Sequence, residues 1–199
     1  MKIRATAILA TLLSAGMAHA ATGVFGSYLE LTTSTSTVYV AQQYTGSNPQ
    51  LDGANLGTFD LTDNLSITGA SLLTWKSDTS DVTGAVLEWR VFSGSPGAFT
   101  PVALGFIANA PATDLGGNSF GGGGDQEWGS TSLGIDLIAA AGGVGDYTLE
   151  VFYRSLTNEG DRFSNNGGDN FAATFSVIPE PGTALLGGLG LLAMLRRRR

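Results

Sequence analysis

Residues 85–92, Ala-Val-Leu-Glu-Trp-Arg-Val-Phe, alternate so that Leu87, Trp89 and Val91 share one face while Glu88 and Arg90 share the other. Residues 147–154 repeat the arrangement, with Leu149, Val151 and Tyr153 on the apolar face and Glu150 and Arg154 opposite. Successive strand side chains point to opposite faces, so this period of two predicts two half-buried strands. Further strand candidates are residues 24–31, 37–44, 57–61, 65–75, 99–107, 132–138 and 171–177. Turn-forming clusters separate them, among them Gly46-Ser47-Asn48-Pro49, Ser93-Gly94-Ser95-Pro96-Gly97 and Asn165-Asn166-Gly167-Gly168.

No amphipathic helix emerges beyond a turn or two within residues 135–141. About nine short strands joined this way predict an all-β fold, a single antiparallel β-sandwich of jelly-roll or immunoglobulin-like kind, with a partly closed barrel as the alternative. An outward Glu on one strand facing an outward Arg on another would add only about a few tenths of a kcal/mol.

Both ends of the chain break the strand pattern. Met1-Lys2-Ile3-Arg4 is basic, residues 5–17 are apolar, and Ala18-His19-Ala20 ends in a small-x-small site, the three parts of a secretory signal peptide cut after Ala20. At the other end residues 184–195 carry no charge and are followed by Arg196, Arg197, Arg198 and Arg199. Twelve residues of helix reach about 18 Å, short of a bilayer core of about 30 Å. Counting from Pro181 and letting the arginine stems snorkel brings the segment closer to spanning. The arginines would stay on the cytoplasmic side, leaving the preceding chain outside. By length alone the run also suits a buried core helix, but Gly187, Gly188, Gly190 and the terminal charges count against that. The expected organisation is a signal peptide over residues 1–20, a β-sandwich domain over 21–176, and a tail with an apolar helix over 177–199.

Pro179-Glu180-Pro181, then Gly182-Thr183, a Leu/Gly/Ala-rich segment and a terminal arginine cluster resemble the PEP-CTERM sorting signal of exported bacterial proteins. The order of the three parts carries the resemblance, which covers only the tail. It implies handling by a membrane-embedded exosortase, with Pro179, Glu180 and Pro181 as the recognition element. Residues 184–195 would then be the membrane hold and Arg196 to Arg199 its stop. It further implies a cell-envelope or extracellular destination, passage through the inner membrane, and extracellular polysaccharide in the surroundings. The physical sense of the motif is independent of its name. Two prolines keep the backbone extended and withhold amide donors, presenting Glu180 clear of neighbouring structure.

Removing both ends changes the charge and the chemistry. The body keeps Lys76, Arg90, Arg154 and Arg162 against sixteen acids, a formal charge of −12. Phosphate backbones are bound by Lys and Arg clusters, so nucleic acid is excluded as a partner. The lone histidine, His19, falls in the signal peptide, and there is no cysteine. A Ser-His-Asp triad, a thiol nucleophile, a Cys/His zinc site and a blue-copper site therefore lack their essential groups. Gly121 to Gly124 lack the Gly-Lys-Ser/Thr ending of a phosphate loop. A glycosidase pair of carboxylates could be chosen from sixteen acids, but no signature singles one out.

Two binding chemistries remain as candidates. Asp161, Asn165 and Asp169, with Asn166 and Asn170, crowd a glycine-rich stretch that offers calcium hard oxygen ligands. The plainer reading of that stretch is an Asn/Asp-Gly turn. Trp128, after the Gly121 to Gly124 run and beside Gln126 and Glu127, could stack on a sugar ring, or else anchor its loop to the core. The expectation is a non-enzymatic exported module without an obligatory cofactor, with a surface carbohydrate or calcium binder as the alternative.

Overall fold

The computed structural model describes residues 21–77, 79–180, 182 and 194. In chain order it contains β1 (Thr22–Thr32), β2 (Ser36–Gln42), β3 (Ala54–Asp60), β4 (Ser66–Lys76), β5 (Val82–Phe92), β6 (Thr100–Asn109), β7 (Ala112–Thr113), β8 (Ser119–Phe120), β9 (Asp125–Ser130), β10 (Ile135–Asp136), α1 (Leu137–Ala141), β11 (Gly145–Thr157), β12 (Arg162–Ser164), a 3-10 turn (Asn166–Gly168) and β13 (Phe171–Ile178). The expected signal peptide lies outside the described residues, as do Pro181 and Arg196 to Arg199. Of the expected apolar helix only Met194 is described, and among the described residues no helix is long and apolar enough to cross a membrane.

Eleven strands form one sheet in the order β2-β1-β4-β9-β6-β5-β11-β13-β3, with β10 on β4 and β12 on β11. β6 is the turning point. Its first half pairs with β5 through Leu104, and its second half pairs with β9 from Gly105. The sheet curls about this strand, so the inner faces of its two halves meet. Leu29, Leu31, Ile67 and Leu72 from one half share a core with Leu87, Leu149, Val151 and Tyr153 from the other. The Tyr153 hydroxyl crosses the interior to donate to the Tyr28 carbonyl oxygen at 2.6 Å, and the Ser27 and Ser164 hydroxyls meet at 2.8 Å.

The all-β expectation holds, with two differences from a two-sheet antiparallel arrangement. Because β6 hydrogen-bonds on both sides, the sheet is continuous. And β3 runs parallel to β13, with Ile178 opposite Asp60. The cause is the chain between β2 and β3, which steps from one edge of the sheet to the other. The Leu51 N–H donates to the Val40 carbonyl, and the Gly53 N–H donates to that of Ala172. Leu51 is wholly buried in the main core, so this lacing of the two edges is driven by apolar burial as well as by hydrogen bonds.

Two segments depart from their expected form. Residues 132–138, expected as a strand, form only the two-residue β10 before α1, which takes up the turn expected within 135–141, because Asp136 accepts from the Ala139 N–H at 2.9 Å and Gly142, at φ 77°, ends the helix in the left-handed region. The Gly121 to Gly124 run leads into a strand, β9, lying between β4 and β6. Gly124 sits at φ 89° against the Lys76 carbonyl, where a Cβ would collide with backbone. The connection from β6 to β9, carrying the β7–β8 hairpin, folds over the outer face of β1, β4 and β9. A second apolar cluster of Tyr28, Val40, Leu73 and Phe120 lies beneath it.

Candidate functional site

The sorting motif follows directly on β13. That strand is hydrogen-bonded to β11 on one side and β3 on the other, and its apolar positions Phe171, Ala173, Phe175 and Val177 are buried. The strand runs two residues past the expected boundary at 176, to Ile178. Pro179 and Glu180 follow, exposed and outside any strand. The first two residues of the motif thus stand at the surface of a closed body with no linker before them. Register places Val144 beside this exit, next to the Gly145 and Val177 pair, and Leu61 next to the Asp60 and Ile178 pair. Leu61, Val144 and Ile178 are all exposed.

Trp128 is on β9, opposite Leu72 and Phe106. Its ring meets that of Phe106 edge-on at 5.4 Å and packs against the main core. Of the two sequence readings, the structure places the ring in the anchoring position, on a central strand. Its Nε1 is buried without a hydrogen-bond partner.

Its neighbour Glu127 points the other way, into the outer cluster, where it is 3 % exposed. Its Oε1 accepts from the Ser71 hydroxyl at 2.6 Å and from the Leu115 N–H at 3.1 Å. Burial raises the Glu127 carboxyl above the ordinary carboxylate range against the lowering pull of those two donors, and the nearby charge of Asp114 adds to the rise. Asp114 is itself buried, with Oδ1 accepting from the Asn118 N–H at 2.8 Å. Burial first, then the Asp114 charge, pushes the Tyr28 hydroxyl well above the ordinary tyrosine range. Two carboxylates and a phenol are thus enclosed together by the β6–β9 connection. Period-two reasoning missed this group, because Glu127 reads as a loop acid rather than as the outward residue of a covered strand.

Of the proposed calcium ligands, Asp161 is drawn into another contact. Asp161 receives Arg154 at 3.1 Å, and the same guanidinium reaches Glu88 at 3.0 Å. The Asn165 carbonyl accepts from the N–H groups of Gly168 and Asn170, each at 2.9 Å, closing the 3-10 turn, while Asp169 is exposed. Among the described residues no group of three or more His, Cys, Asp or Glu side chains could hold a metal ion. The expected outward Glu/Arg pairing is present and more enclosed than a surface pair. Arg90 stands opposite Glu150 in register and meets it at 2.6 Å with side chains 18 % and 10 % exposed. The Arg90 guanidinium also lies 4.0 Å from the centre of the Phe99 ring.

Where that turn does contribute is to a groove of about 510 Å³ between the end of β2 and β12. Its polar lining is Gln42, Gln43, Asn165 and Asn166, its floor Phe171, and its rim Phe163. Ser27 braces both walls, since its hydroxyl accepts from the Gln42 N–H at 3.0 Å and meets that of Ser164. The groove beside the tail exit, about 320 Å³, is different. Its Ser176 and Asp146 are bonded to each other at 2.6 Å, and its Tyr147 hydroxyl donates to the Gly143 carbonyl at 3.1 Å.

Residues 177–199 match the PEP-CTERM protein-sorting motif. The match spans the tail and the last two residues of β13. No curated protein matches the chain. The tail is therefore a sorting signal of the kind addressed to an exosortase, and it marks the chain as an exported protein.

Proposed function

We propose that the chain is a cell-envelope or extracellular-matrix protein whose body is a non-enzymatic β-sandwich, formed by the two facing halves of the curled sheet and delivered by its tail. The observation that carries this reading is the direct junction of a fully paired strand to the exposed Pro179 and Glu180. A body closed before the motif begins can be handed to a membrane-embedded enzyme as a finished unit. Residues 184–195 would hold the chain in the inner membrane while Arg196 to Arg199 stop its passage, with the exposed Leu61, Val144 and Ile178 facing that membrane.

The non-enzymatic reading draws support from the chemistry of the body. With no His or Cys after residue 20, carboxylates are the main remaining acid–base groups, beside Lys76 and the tyrosines. The most enclosed carboxylates, Glu127 and Asp114, are covered by the β6–β9 connection and bonded to it. Replacing Pro179, Glu180 and Pro181 together by alanine tests the sorting role. Processing should stop while the body keeps its β circular-dichroism spectrum; normal processing of that variant would refute the role. A second reading, a carbohydrate-binding surface module, is favoured by the amide-lined groove at Phe163 rather than by Trp128.

A further inference from the structure

We propose that the groove between β2 and β12 binds a neutral saccharide chain, with Phe163 as the stacking platform and the Gln42 and Asn165 carboxamides as the hydroxyl readers. The proposal rests on the second reading above and is independent of the sorting tail. Phe163 is 47 % exposed, and it is on the outer face because it pairs in register with Arg154. A sugar ring offers an apolar C–H face ringed by hydroxyls, and an exposed aromatic ring beside amides matches both parts.

The hydrogen-bond state of the amides leaves two of them available to a ligand. Gln43 and Asn166 are engaged, Gln43 with Gln50 and the Gly46 carbonyl, Asn166 with Asp52. The side chains of Gln42 and Asn165, both only partly exposed, donate to and accept from no described residue. Each carboxamide carries two donors and an acceptor with two lone pairs, a set that serves a hydroxyl as donor or acceptor alike. Their backbones are fixed, Gln42 through Ser27 and Asn165 through its carbonyl bonds to Gly168 and Asn170, so little ordering would accompany binding. None of the groove's lining residues is charged, and the body is strongly acidic. Both observations select a neutral saccharide over a uronic-acid polymer.

The test uses the full chain in detergent and isothermal titration with hexasaccharides of glucose, galactose, mannose and N-acetylglucosamine, with polygalacturonate as the anionic comparison. At least one neutral hexasaccharide should bind. Phe163→Ala should weaken that binding at least about tenfold and Phe163→Trp should retain it. Asn165→Ala and Gln42→Ala should each weaken it by about threefold or more. Phe106→Ala, which removes an exposed aromatic ring elsewhere on the body, should leave it unchanged. Melting curves matching the parent would show that the Phe163 variants fold. Absence of binding by every neutral hexasaccharide, tighter binding of polygalacturonate, or binding that survives Phe163→Ala would each overturn the proposal. None of these results touches the processing outcome of the Pro179, Glu180 and Pro181 variant.

Discussion

Replacing Glu127 by alanine removes the acceptor for two donors at once, the Ser71 hydroxyl and the Leu115 N–H. Ser71 is wholly buried, so its hydroxyl has no water to turn to. A buried donor left unpaired costs about 1–3 kcal/mol, and the Leu115 N–H, at a partly exposed position, adds towards the lower end of that range. The expected loss is about 2–4 kcal/mol. Glu127→Gln separates charge from hydrogen bonding, because its amide oxygen can still accept from both donors. Burial raises the Glu127 carboxyl, so the folded state keeps this proton to higher pH than the unfolded chain does. The stability that this group contributes is therefore fully present below its unfolded-state value and is lost as pH rises to the folded value. Glutamine has no such slope, so the gain from Glu127→Gln over the parent should grow with pH across that window. Urea unfolding between about pH 4 and about pH 8, read as a midpoint shift at constant m, measures both effects. A pH dependence unchanged by Glu127→Gln, or an alanine variant within about 0.5 kcal/mol of the parent, would refute the reasoning.

Arg90→Ala should cost about 1.5–3 kcal/mol, because it leaves the Glu150 carboxylate, 10 % exposed, with only Asn170 as a partner among the described residues. A double-mutant cycle with Glu150→Gln should return a coupling above about 0.5 kcal/mol; additivity would mean that the pair acts as an ordinary surface pair. Tyr153→Phe deletes the hydrogen bond across the interior and should lower stability by about 0.5–1.5 kcal/mol in chemical denaturation, with no effect contradicting its role. Added calcium should leave the melting temperature unchanged, since Asp161 is committed to Arg154; a rise would reinstate the metal site.

The strands most legible in the sequence are those whose apolar and polar positions alternate. β5 and β11 are the best cases. Their alternation placed Leu87, Leu149, Val151 and Tyr153 inward and predicted Glu and Arg meeting across strands, as Arg90 and Glu150 do. β9 was not legible because it is covered on both faces. Glu127 lies under the β6–β9 connection and Trp128 against the core, so the apolar-polar rhythm is lost and glycines dominate the approach. The parallel pairing of β3 also leaves no local trace, since it depends on where Leu51 is buried. The tail could be read almost letter by letter, because a motif contiguous in sequence needs no tertiary partners to be legible. The groove is the opposite case. Gln42, Phe163 and Asn165 come from two strands and a turn, and only the register of β12 on β11 and the Ser27 brace bring them together. The crowding of Asn165, Asn166 and Asp169 in sequence pointed to that turn, while the nearest carboxylate, Asp161, meets Arg154.

Intact mass spectrometry of the protein from membrane and medium fractions of its native cells bears on export and sorting together. A chain beginning at Ala21 and ending within the tail near Glu180 is the expected species, with Arg199 retained only when exosortase activity is removed. A cytoplasmic chain still carrying both Met1 and Arg199 in cells with an active exosortase would contradict the reading of this protein as an exported, sorted module.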